Sequence, residues 1–544
     1  MGAGEGGGRN RVLACGCGMF HFPSMGKYVR IFLWMMMGLP WVHAAPAPQS
    51  VAVLFNSAVP ESRRLAEMYA AKRGIPVENL VGLEMPKAAD ITRKQYEDSI
   101  LSPLRAEFDR RSWWRRAKQN DGLFLPVINK IRVLVVMRGV PLRIQATPKG
   151  EKPAPAAPKQ ANPLLGRDDA SVDSELALFG VETLPAEGIL DNKFFRSKVP
   201  FEQAGLPFMV LTARIDASSV EICERLIEDA VAAENGGLWG MAYVDVANKF
   251  PQGDGWLNTV AAQNVASGIP TVVDRFDATF PRNYPMADAA MYYGWYAWSI
   301  DGPFLNPAFR FRRGAVAVHL HSFSAEQLTD PNRNWCAGLL SKGAAVTLGN
   351  VHEPYLHLTH DLGLLHQRLV EGHSWVEACW MAMPVCSWQA VVLGDPLYRP
   401  FLHLDGSGVV VEEDKPYRAI RAALVRWAGK ENERMQQLGQ AARRTKEGVY
   451  HEAMGLEYMA GKRTAEAIKE FREAKGMYGE ETDQLRQALH IAAADHAAGQ
   501  KDLAIRGLSD ATMVYRALPE AQAAKAWLDI LQAAGKSGGG AASP

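Results

Sequence analysis

Between Arg313 and Phe401 three short apolar runs each stop at a cluster of polar residues, and no other stretch constrains the fold as tightly. Ala315-Val-Ala-Val318 stops at His319, His321 and Ser322. Ala344-Ala-Val-Thr-Leu-Gly349 stops at Asn350, His352 and Glu353, and Ala390-Val-Val-Leu-Gly394 stops at Asp395. Runs of that length, rich in Val and Ala and bounded by Gly, predict buried strands of an α/β sheet. Ligands in such sheets gather beyond the carboxyl ends of the strands. The expectation is therefore one cleft lined by His319, Asn350, His352, Glu353 and Asp395.

The rest of the chain supports an α/β core over about residues 46–405. Apolar runs at 50–55, 80–83, 131–137, 208–216, 238–245 and 269–273 alternate with helical patterns at 62–73, 93–108, 219–235 and 256–267. That alternation predicts a mostly parallel sheet flanked by helices. Gly74 is placed to stop the first helix, Thr92 to cap the second, and Ser218 or Ser219 to cap the third. Trp113-Trp-Arg-Arg116 reads as a helix edge with snorkelling arginines. His357 and His360 fall at i and i+3 of an expected helix over 356–369. Met291-Tyr-Tyr-Gly-Trp-Tyr-Ala-Trp298 reads either as an aromatic core segment or as a platform on which sugars stack.

Two segments interrupt the core and one extends it. Residues 145–163 are rich in Pro, Ala and Lys and predict a surface insertion. Residues 414–535 are rich in Ala, Glu, Lys and Gln, with a loose repeat from Gly461 to Gly499 that predicts an all-α, TPR-like domain. The tail 536–544 is composed of Lys, Gly, Ala, Ser and Pro and predicts disorder.

The N-terminus reads as an address. Lys27-Tyr-Val-Arg30 precedes the apolar Ile31–Trp41, and small residues before Pro46 offer a cleavage site. That order predicts a secretory signal peptide within residues 1–45, and an exported chain that is periplasmic or extracellular. No later stretch is apolar enough for a membrane span. A net charge of +1 supplies no bulk attraction for nucleic acid. The four cysteines after residue 45 are widely spaced, which predicts free buried thiols rather than a disulfide framework.

Several stretches together carry a resemblance. They are Val59-Pro-Glu-Ser62 with Arg73-Gly-Ile-Pro76, Arg138-Gly-Val-Pro141, Ala170-Ser-Val-Asp-Ser-Glu-Leu176, Gly349-Asn-Val-His-Glu-Pro-Tyr355, and Ser387-Trp-Gln with Gly394-Asp-Pro-Leu-Tyr-Arg-Pro400. They resemble a family of exported bacterial proteins that co-occurs with the PEP-CTERM/exosortase sorting system, one to which no activity attaches. The resemblance implies an envelope context. At the level of the fold, the order His, then strand, then Gly-Asp-Pro is similar to caspase-like peptidases of the gingipain type. There, His319 or His321 matches the catalytic His, while Asn350 stands where the nucleophilic Cys belongs. The likeness thus implies a fold without its thiol chemistry.

Two functions follow as expectations. One is a hydrolase, with His319 as base, Glu353 as its orienting carboxylate, Ser322 as a possible nucleophile, and Asn350, His352 and Asp395 contacting substrate. His321, two residues from His319, would join a divalent-metal site. The other is a binding or assembly protein of the envelope or extracellular matrix that meets a partner protein through its C-terminal helices. The same polar residues would also suit a satisfied hydrogen-bond network at the sheet edge.

Overall fold

A computed structural model describes residues 45–148, 166–276 and 278–537. The expected signal peptide and almost all of the Pro-rich insertion lie outside the described residues. Ten strands form the centre: β1 Val51–Asn56, β2 Leu80–Leu83, β3 Val133–Met137, β4 Leu211–Ile215, β5 Met241–Asp245, β6 Thr271–Asp274, β7 Ala289–Gly294, β8 Val316–His319, β9 Thr347–Asn350 and β10 Ala390–Leu393. One sheet has the order β9-β10-β4-β3-β1-β2 and the other β6-β5-β7-β8. A parallel bridge from Val316 to Val346 joins them.

The register divides the ten strands into two halves. β2, β1, β3, β4 and β10 pair in parallel. β6, β5, β7 and β8 do likewise, and the bridge carries that direction into β9. At the seam β9 and β10 are antiparallel, with Asn350 opposite Ala390 and Thr347 opposite Leu393. The carboxyl ends of the two halves therefore lie on opposite edges.

Local chemistry explains the flanking elements. Helix α1, Pro60–Arg73, ends at Gly74, whose φ of 64° is the left-handed conformation that glycine adopts freely. Thr92 closes a capping box with Gln95. Ser219 caps helix α2, Val220–Gly236. Helix α3, Pro251–Ala266, follows β5. Helices α4 Cys336–Ser341, α5 Leu362–Val370 and α6 Trp375–Ala382 surround the seam. Trp335, Trp375, Trp380 and Trp388 are all fully buried there.

Two local expectations fail. Trp114 lies in a hairpin strand, Trp114–Lys118, because aromatic side chains pack well on a pleated surface. Arg116 lies over the Trp114 ring, 5.1 Å from its centroid. The segment after β9 forms only a short 3-10 turn, Leu356–Leu358, before α5. His357 is exposed and His360 is fully buried, so the two share no helix face.

Seven helices follow: α7 Lys415–Arg426, α8 Glu431–Thr445, α9 Val449–Ala460, α10 Thr464–Met477, α11 Glu481–Ala497, α12 Lys501–Val514 and α13 Ala521–Ser537. The last helix runs into the expected tail as far as Ser537. One apolar core runs through the sheet and these helices. Phe276, just beyond β6, stacks on Trp527 of α13 at 4.7 Å and lies 5.5 Å from His496 of α11. Tyr417 donates to Asp288 at 2.6 Å, and Arg312 pairs with Asp414. Among the described residues no helix is long and apolar enough to cross a membrane.

Candidate functional site

The expected cleft divides at the seam. His319, His321, Asn350, His352 and Glu353 follow β8 and β9 and share one edge. Asp395 follows β10 and lies on the other. Gly394 shows this directly: a Cβ there would come within 2.5 Å of the carbonyl of Ala345, at the start of β9. Asp395 is held by Tyr69 Oη at 2.8 Å and Arg73 Nε at 2.6 Å, both from α1. The expectation that it contacts the same ligand as Glu353 is therefore corrected. The apolar run 390–393 has the same pattern whichever way it points.

His319 is 1% exposed and both of its ring nitrogens are occupied. The backbone N–H of Ala297 donates to Nε2 at 3.1 Å. A neutral imidazole then carries its proton on Nδ1, which faces Tyr292 Oη at 2.9 Å. Tyr292 in turn reaches Asp245 Oδ2 at 3.3 Å. The ring stacks on Trp335 at 3.4 Å. Burial, with a smaller contribution from His321, holds the imidazole well below its usual titration range. No lone pair remains to take a substrate proton.

His319 thereby fixes a loop. Ala297 gives its N–H to His319 and its carbonyl to Trp335 Nε1 at 2.8 Å. Upstream, Trp295 Nε1 donates to Asp254 of α3 at 2.9 Å. The Trp295 ring covers Gly253, where a Cβ would stand 2.2 Å from it. Residues 295–298 are thus pinned on both flanks.

The remaining residues divide between fold and rim. Asn350 is fully buried and its amide exchanges hydrogen bonds with Thr359 Oγ1 at 3.1 and 3.3 Å. Ser322 is half-buried, beside His321. His321 accepts from Phe323 N at Nδ1, and burial lowers its pKa against the pull of Glu353. Glu353 accepts from Tyr355 N at 2.9 Å. His352 is half-exposed and faces Arg167 at 2.9 Å. Among the described residues no group of three or more His, Cys, Asp or Glu could hold a metal ion, so a divalent-metal centre at His321 finds no ligand set.

The sequence reading missed the charged rim. Arg167 forks onto Asp169, donates to the Glu353 carbonyl at 2.9 Å and lies over Trp388 at 4.6 Å. Arg143 forks onto Asp90 and lies 4.0 Å from Glu326. The Arg167-Asp-Asp169 run directly after the Pro-rich stretch was the available signal. Also missed was the pairing of Asp245 with Asp274, the final residues of β5 and β6 and opposite each other in register. Both are buried, and Asp245 Oδ1 and Asp274 Oδ2 have no partner among the described residues. Burial pushes Asp274 up to about 7, and burial with Asp274 alongside holds Asp245 well above the usual carboxylate range.

Three motif stretches interlock behind the site. Arg214, fully buried, forks onto Asp173 at 3.0 and 2.7 Å and donates to the carbonyls of Val140 and Pro141. Ser171 donates to the Ala390 carbonyl, Ser174 accepts from Trp388 N, and Gln389 donates to the Asp169 carbonyl. All four described cysteines are free and buried, and burial pushes the Cys336 thiol up to about 12. No protein-family model, curated protein or solved structure matches the chain.

Proposed function

We propose that this is an exported envelope protein that works by binding or assembly, built on a peptidase-like α/β domain without peptidase chemistry. The observation that carries this reading is the commitment of His319: its Nε2 holds the Ala297 N–H and its Nδ1 holds Tyr292. Asn350, at the nucleophile's position in a caspase-like arrangement, is likewise tied to Thr359. The buried thiols are poor nucleophiles. The resemblance to the exported family supports the envelope setting. A partner protein at the C-terminal helices is supported by Leu503, Met513 and Val514, which α12 leaves exposed.

A hydrolase reading retains one arrangement, His321 with Glu353 nearby and Ser322 adjacent. Incubating the full chain with peptide, ester and glycoside panels, with and without EDTA, decides between the two. The binding reading expects no turnover above buffer in any panel. Turnover that disappears in His321→Ala or Glu353→Gln would overturn it.

A further inference from the structure

Only three large aromatic side chains are strongly exposed among the described residues: Phe250 at 50%, Tyr296 at 44% and Trp298 at 61%. All three lie beyond carboxyl ends of the same half of the sheet, Phe250 after β5 and Tyr296 and Trp298 after β7. They lie in one chain of ring contacts that runs Phe250, Tyr296, His321, Trp298, Phe323, His352. Its successive centroid separations are 5.8, 5.3, 4.9, 5.2 and 5.0 Å. Every other strongly exposed apolar side chain is aliphatic or Met, and the chain of contacts contains none of them. Exposed aromatics gathered in one place call for a ligand.

We infer that this edge binds a neutral glycan chain, with Trp298 and Tyr296 stacking on successive sugar rings and the His352–Arg167–Glu353 rim taking the hydroxyls. This rests on the binding reading above and names its ligand class. A pyranose presents a face of C–H groups and a periphery of hydroxyls. The C–H face suits an aromatic ring, and the hydroxyls suit side chains that fork, donate and accept. Both features stand side by side here, since Phe323 contacts His352 and His352 faces Arg167.

Charge narrows the class. Arg143 and Arg167 are each already forked by their own carboxylates, Asp90 and Asp169. Glu326 and Glu353 add two more negative groups. Among the described residues the rim has no cation to spare for uronate, sulfate or phosphate. The contacts continue on both sides of His321, to Phe250 in one direction and to His352 in the other, a spread that favours an extended chain over a quaternary ammonium ion. The platform is also preorganised, because His319, Trp335 and Asp254 fix the loop before any ligand arrives. His319 is thus a positioning residue for the glycan site.

Calorimetry on the full chain tests this with cellohexaose, mannohexaose and chitohexaose as neutral probes, and hexamannuronate and choline as controls. At least one neutral probe should bind saturably. Trp298→Ala should weaken it by about tenfold or more, as loss of an aromatic anchor does, with the melting temperature unchanged. Absence of binding by every neutral probe, preference for either control, or indifference to Trp298→Ala would overturn the inference. If a neutral probe is bound and cleaved, the glycan site stands and the binding-only reading falls. If no glycan binds but a peptide binds through Trp298, the glycan inference falls and the binding reading stands.

Discussion

The two halves of the sheet finish their strands in opposite electrostatic styles. In the half that contains β10, buried arginines are met by carboxylates. Arg214 sits between Asp173 and Asp216, and Arg73 between Asp395 and Glu234. Burial opposes the charge on Arg214, and the two carboxylates outweigh it. In the half that contains β5 to β8, buried titratable groups have no counter-charge and are held neutral. Asp245 and Asp274 are pushed up, and His319, His360 and His366 are pushed down. The lesson is that burial alone does not decide protonation. A buried group stays charged where an opposite charge meets it and gives up its charge where none does.

Breaking the matched half should cost most. Asp173→Ala leaves Arg214 fully buried with one partner fewer, and a loss of about 3–5 kcal/mol is expected. Chemical denaturation should read it, with little change between pH 5 and 8. A loss below about 1 kcal/mol would mean that the pair is not closed in solution.

The neutral half should carry the pH dependence, and its groups act in opposite directions. The folded-state pKa of Asp274 is raised to about 7 from 3.8. The acid pair's contribution is therefore fully present below about pH 4 and is lost as pH rises towards 7. Asp274→Asn should flatten that slope, which we expect to span on the order of a few kcal/mol. A variant that keeps the wild-type slope would locate the titration elsewhere.

The histidines work from the other side. His360 and His366 are lowered to about 3 by burial, so their contribution is present above about pH 6.5 and is lost as pH falls. His360 has no hydrogen-bond partner at either nitrogen among the described residues. His360→Leu should therefore raise stability by about 2 kcal/mol more at pH 5 than at pH 8. Equal effects at both pH values would point to packing instead of charge.

Much of this was legible in the sequence, and the limits have physical causes. Gly74 and Thr92 act as the local signals predict, and Ser219 rather than Ser218 caps its helix, because stops and caps depend on neighbours a few residues away. The strand ends near His319, Asn350 and Asp395 were legible because apolar runs end where burial ends. Strand direction was not, since period and composition are blind to it, and Asp395 was assigned to the wrong edge for that reason. Trp298 was ambiguous because an aromatic run reads alike in a core and on a platform. The pairing that separates the two, Ala297 with His319 and Trp335, spans 22 and 38 residues.

The protonation of His319 can be read by nitrogen NMR of histidine-labelled full chain, assigned by difference against His319→Gln. The ring should be neutral and protonated at Nδ1, with no titration in the usual imidazole range around 6.5. A ring that titrates near 6.5, or one protonated at Nε2, would contradict it and return His319 to the role of a base.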